Sequence, residues 1–106
     1  MSILTQSNIL ATLKELQPMF KKEHVNLLGL FGSYSRDEAK EDSDIDILIE
    51  TTPEFLAKYK GWDAFVKLDE LRDILKNSLG KDIDIVDKQG LLDHNNTFIL
   101  EKTIYV

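Results

Sequence analysis

Apolar residues along the chain fall into two periods. From Ser7 to Gln17, Ile9, Leu10, Leu13 and Leu16 recur at helical spacing, with Ser7 as the expected N-cap. Pro18 is expected to end or kink that helix because it lacks the amide donor that a helix interior uses, leaving Met19 and Phe20 in the core at the exit. Val25 to Phe31 reads as a largely buried strand, Gly32-Ser33 as a tight turn, and Ser33 to Ala39 as one short helix. Asp44 to Glu50 is the second strand. Thr52, Pro53 and Glu54 then carry the signals of a helix start, and Gly61 breaks the helix they begin. Trp62, Phe65, Leu68, Leu71, Leu75 and Leu79 mark a long amphipathic helix that Gly80 closes. Asp82 to Val86 is the third strand. Leu91, Leu92, Phe98, Ile99 and Leu100 indicate a last helix, and Ile104-Tyr105-Val106 a short strand or extended tail. Trp62 and Phe65 read as core or as a partner interface, and His24 and His94 as surface or boundary residues.

This order of elements defines an α/β or α+β chain: a small mixed sheet with helices mainly on one face. The length of 106 residues suits one domain spanning 1–106, with enough chain to bury roughly two thirds of its unfolded surface. Thirteen Lys and Arg against 19 Asp and Glu give a net charge of -6, and no basic stripe is present to neutralise a row of phosphates. Direct nucleic-acid binding is therefore not expected, although one nucleotide carrying its own metal fits such a chain. Cysteine is absent, which excludes disulfides and thiolate metal sites. No apolar run reaches the length of a membrane span, and Thr5, Gln6, Ser7 and Asn8 stand where a signal peptide is apolar, so the expected location is the cytoplasm.

The chemistry concentrates between Gly32 and Ile49. Side chains in a strand alternate between faces, so Asp44 and Asp46 share one side while Ile45, Ile47 and Ile49 take the other. Two carboxylates about 4 Å apart repel by roughly 1 kcal/mol in water and roughly 4 kcal/mol at the effective dielectric of a protein surface. A shared proton, a basic neighbour or a hard divalent cation must offset that cost. Asp82-Ile83-Asp84-Ile85-Val86 repeats the alternation, so Asp84 joins the pair if the strands are neighbours; Asp82 shares its face but lies at the strand start beside Lys81. Converging carboxylates would hold two magnesium ions about 3.5 to 4 Å apart for a phosphoryl or nucleotidyl displacement. In that arrangement Gly32 permits close backbone approach, Ser33 offers an amide and a hydroxyl to a triphosphate, and Arg36 reaches a phosphate or braces an aspartate. Glu38, Glu41 and Asp42 read as a solvated turn.

Other motifs fail at particular positions. A calcium loop from Asp42 needs glycine where Ile47 stands and glutamate where Pro53 stands. A Walker loop needs Gly-Lys-Ser or Gly-Lys-Thr and a dinucleotide fingerprint needs spaced glycines, and neither occurs.

Gly32-Ser33, ten intervening residues and Asp44-Ile45-Asp46, with Arg36 at the usual basic position, resemble the signature of the polymerase-beta-like nucleotidyltransferases. The short chain is similar to the minimal members of that superfamily, Asp84 matches their third carboxylate, and Thr103-Ile104-Tyr105 is similar to their usual end. The resemblance implies a nucleotidyltransferase fold and Mg2+ (two ions, with Mn2+ as an alternative) held by Asp44, Asp46 and Asp84. It also implies transfer of a nucleoside monophosphate from ATP or another nucleoside triphosphate to a hydroxyl. Minimal members are commonly antitoxins paired with a HEPN-domain toxin, which some modify with AMP on a tyrosine. A non-catalytic antitoxin acting by occlusion is the alternative, and an antibiotic-modifying transferase the less favoured one. Asp37 departs from the pattern, since a glycine often follows the motif arginine.

Overall fold

A computed structural model describes residues 4–93 and 97–106. The expectation for His94 lies outside these residues. The chain forms helix α1 (Gln6–Lys22), strand β1 (Val25–Phe31), a 3-10 turn (Ser33–Arg36), β2 (Ile45–Thr51), α2 (Pro53–Lys58), α3 (Trp62–Leu79), β3 (Ile83–Asp87), α4 (Lys88–Asp93), α5 (Phe98–Lys102) and β4 (Ile104–Tyr105). The sheet order is β3-β2-β1-β4. β1 runs antiparallel to both β2 and β4, while β2 and β3 are parallel, and the intervening α2 and α3 supply the crossover that a parallel pair requires.

Isoleucine alternation sets the core. Ile45, Ile47 and Ile49 are fully buried against Ile9, Leu13 and Phe20 of α1, Phe55 of α2, and Leu71 and Leu75 of α3. Each such side chain contributes roughly 1.5–3 kcal/mol over leaving it in water. Leu48 shares the parity of Asp46 and is also fully buried, because α4 packs across β2 and β3 on that face. The second face is thus covered around Leu48, with the aspartates beyond that cover.

Four details depart from the sequence reading. Helix α1 is capped by Thr5, whose hydroxyl accepts from the Asn8 amide at 3.1 Å, and it continues through Pro18 to Lys22. Proline removes one donor there, but Pro18 is exposed, and Phe20 two residues on is buried while Met19 is not. The segment after Gly32 is a four-residue 3-10 turn rather than a helix to Ala39. Trp62 and Phe65 are 77% and 68% exposed, because the buried stripe of α3 starts deeper in the helix, at Leu71. Finally, the C-terminal apolar run divides into α4 and α5; of the two expectations for the residues that follow, the strand holds, with Ile104-Tyr105 an edge strand on β1.

That edge strand depends on Gly29. The β1 ladder shifts register between Leu27 and Gly29, and Gln17 serves the displaced backbone: its amide group donates to the Leu27 carbonyl and its carbonyl accepts from the Leu27 amide at 3.1 Å. A Cβ on Gly29 would stand 2.2 Å from the Ile104 carbonyl oxygen. Gly29→Ala is expected to destabilise the chain by about 1–3 kcal/mol in urea unfolding and to raise hydrogen exchange along β4. Gly90→Ala, with open space around it, is the neutral control.

Candidate active site

Strand register assembles the site. β2 and β3 pair in parallel with Asp46 opposite Asp84 and Ile45 opposite Ile83, so the two aspartates lie side by side on one face. β1 and β2 pair with Phe31 opposite Asp46, which brings the residue after Phe31 over the same carboxyl. That residue is Gly32. Its φ of 74° and ψ of -156° fall in a region essentially reserved for glycine, and a Cβ there would sit 1.9 Å from Asp46 Oδ2. Glycine is required twice over, by conformation and by contact.

The turn after Gly32 is braced from both sides. Ser35 donates its amide and hydroxyl to the Gly32 carbonyl, at 3.1 and 2.6 Å, and Gln6 of α1 donates to the carbonyls of Tyr34 and Ser35. Tyr34 is buried in the core. Asp37 ends the turn at φ 55°, a left-handed conformation that asparagine and aspartate tolerate better than most residues. This explains why a glycine suits the position and why aspartate can replace it. Arg36 is exposed and its Nε donates to Glu38 at 3.1 Å.

Electrostatics single out Asp46. Burial pushes its carboxyl up from 3.8 to about 6; the charges of Asp84 and Asp44 add to that, Arg36 opposes it, and a side-chain hydrogen bond with Asp84 accommodates the proton. Asp84 is exposed, and Asp44 is exposed just ahead of β2, whose first amide, on Ile45, donates to the Asp82 carbonyl at 3.0 Å. Asp82 itself is drawn away, paired with Lys76 at 2.9 Å. Among the described residues no three His, Cys, Asp or Glu side chains close into a group able to hold a metal ion. The donor set is nevertheless all carboxylate oxygen, which hard divalent cations prefer, and the proton that Asp46 keeps to about pH 6 is of the kind such a cation displaces. Beyond Gly32, residues of α5 border the site, and local sequence does not mark them: the short helix carries no motif, and only tertiary packing brings it to β1.

A mixed sheet with carboxylates side by side on a central strand and the edge strand parallel to it, beside a Gly-Ser turn, is the architecture of a nucleotidyltransferase. The description of the nucleotidyltransferase domain family matches residues 7–106, and the chain belongs to that family. It is 36% identical over 101 residues to protein adenylyltransferase MntA of Thermococcus cleftensis, covering 95% of this chain and 91% of that one. Two Methanocaldococcus jannaschii proteins provisionally named protein adenylyltransferases, MJ1215 and MJ1217, are 37% and 35% identical over 89 and 106 residues. These alignments cover 77% and 96% of this chain and 92% and 98% of theirs. A solved structure described as a minimal nucleotidyltransferase superposes with a TM-score of 0.76 over the whole of both chains at 24% identity, which establishes the fold. The protein is a nucleotidyltransferase enzyme.

The raised carboxyl has a consequence for stability. Between pH 3.8 and about 6 the folded chain holds a proton at Asp46 that the unfolded chain releases, so this contribution is complete below pH 3.8 and lost as pH rises through about 6. In chelator, Asp46→Asn is expected to exceed wild type in urea stability at about pH 7.5 by about 1 kcal/mol, after discounting for solvent screening, with the gap closing toward pH 4. Gly32→Ala is expected to cost about 1–3 kcal/mol at either pH, because its cause is steric.

Proposed function

We propose that this chain is a magnesium-dependent protein adenylyltransferase that moves AMP from ATP to a tyrosine hydroxyl of a partner HEPN-domain toxin, and so acts as an antitoxin. One observation carries the reading: Asp46 and Asp84 lie in register across parallel strands with Gly32 packed on the Asp46 carboxyl. The relatives named protein adenylyltransferases support AMP transfer to a protein. Residues 1–106 act as one catalytic domain in the cytoplasm.

Asp44, Asp46 and Asp84 would hold the divalent cations, which when bound supply charge neutralisation for the polyphosphate and activation of the attacking hydroxyl. The Gly32-Ser33 turn presents backbone without a Cβ in the way, and Ser33 contributes an amide and a hydroxyl to the phosphates. Arg36 meets phosphate charge through its planar fork. The acceptor oxygen forms a bond to the α-phosphorus and its proton passes to Asp84. The bond from that phosphorus to the bridging oxygen breaks, and pyrophosphate departs with the electron pair.

A second reading, neutralisation by occlusion, draws on the exposed Trp62 and Phe65, whose rings lie 5.9 Å apart and offer an apolar docking surface. Incubation with α-labelled ATP, magnesium and the protein encoded beside this one is expected to label the partner. Asp44→Asn with Asp46→Asn is expected to reduce labelling at least about a hundredfold while binding persists. Neutralisation that survives this double substitution would establish occlusion instead.

A further inference from the structure

Gly32 has a second neighbour besides Asp46. A cavity of about 400 Å3 opens beside it, lined by Phe31, Gly32, Arg36, Phe98, Ile99 and Lys102. Its charged lining is two cations, in a chain with 19 acidic and 13 basic residues. Lys102 Nζ stands over the Phe98 ring, 5.5 Å from the centroid, a cation–π contact that fixes the direction of a long side chain. Arg36 bonds Glu38 through Nε, which uses one of the five N–H donors of its guanidinium. The remaining walls, Phe31, Phe98 and Ile99, are apolar. Two cations facing one space repel each other, an anion between them reverses the sign of that interaction, and apolar walls strengthen it by excluding water.

The position of the cavity identifies the anion. Gly32 is its common wall with the carboxylates, so phosphates lying along the Gly32-Ser33 turn run directly from the reacting centre into it. We propose that Lys102 is a phosphate-binding residue of the transfer reaction, gripping with Arg36 the β- and γ-phosphates that leave as pyrophosphate. This rests on the nucleotidyltransferase reading and adds to it a residue of α5 that lies outside the Gly-Ser and Asp-x-Asp signature. As the bond from the α-phosphorus to the bridging oxygen breaks, its electron pair passes to the pyrophosphate, and the charge that develops there is the charge the two cations meet.

Calorimetric titration of the full chain with ATP, AMP and inorganic pyrophosphate in magnesium buffer tests the assignment. Lys102→Ala is expected to weaken ATP and pyrophosphate by about tenfold, equivalent to about 1.4 kcal/mol, and to leave AMP unchanged. Lys102→Arg is expected to recover most of the loss, and Phe98→Ala to give a smaller loss with the same preference. The ratio of ATP to AMP affinity within each variant cancels any change in folded fraction. Equal losses for ATP and AMP would put the base in the cavity and overturn the assignment, as would unchanged ATP affinity in Lys102→Ala. A wild-type chain that binds no ATP would instead overturn the nucleotidyltransferase reading on which the inference rests.

Discussion

Two carboxylates held side by side by strand register, Asp46 and Asp84, set the terms for the rest of this structure. They repel, and neither β2 nor β3 carries a cation to relieve it. What keeps them together is the opposite face, where Ile45, Ile47 and Ile49 are buried to within 1% of complete. A register slip of one residue would exchange the faces, exposing three isoleucines and burying the acids, so hydrophobic burial enforces the placement. The core supplies the energy, and the site is where its electrostatic cost becomes visible, as a carboxyl that keeps its proton to about pH 6.

The same constraint explains the turn that faces the pair. Because Phe31 is opposite Asp46, the chain must leave β1 immediately over a carboxyl, and Gly32 leaves room for that exit. The four residues beyond it do not form a helix long enough to carry a macrodipole of consequence. For the proposed phosphate site, this leaves backbone approach, hydroxyls and side-chain cations as the means of binding. Tyr34 buried below and Gln6 bonded to its carbonyl hold the turn still, so the site borrows rigidity from α1 rather than from its own length.

Most of the fold is legible in the sequence because the signals are local. Strand alternation locates β2 and β3, Thr52-Pro53 locates α2, and Gly80, at φ 75°, ends α3 with the left-handed cap that glycine favours. The site's carboxylates are legible for the same reason, since parity within a strand is a property of the sequence. Failures come where depth decides. Helical spacing places Trp62 and Phe65 on the stripe of α3, but burial depends on whether another element lies beneath that turn, and among the described residues none covers those rings. Pro18 reads as a terminus, yet an exposed proline two residues before a buried Phe20 is carried through by packing. The contribution of α5 to the site lies beyond the reach of local pattern, because Lys102 comes to Gly32 only through the pairing of β4 with β1.

Helix α3 separates two surfaces that a partner could use. Trp62 opens it, and Lys76, bonded to Asp82 at 2.9 Å, lies at the carboxylate end of the sheet. At 1.5 Å per residue the span between them is about 21 Å. A contact confined to the aromatic end therefore leaves Asp44, Asp46 and Asp84 accessible, whether the partner is modified there or only has its own site covered. Under the proposed function, the apolar rings at one end of α3 would hold a partner while its hydroxyl reaches the exposed carboxylates at the other. Asp44 and Asp84 are open to solvent in the chain alone, so under that reading the bound nucleotide and the acceptor together would exclude water during transfer.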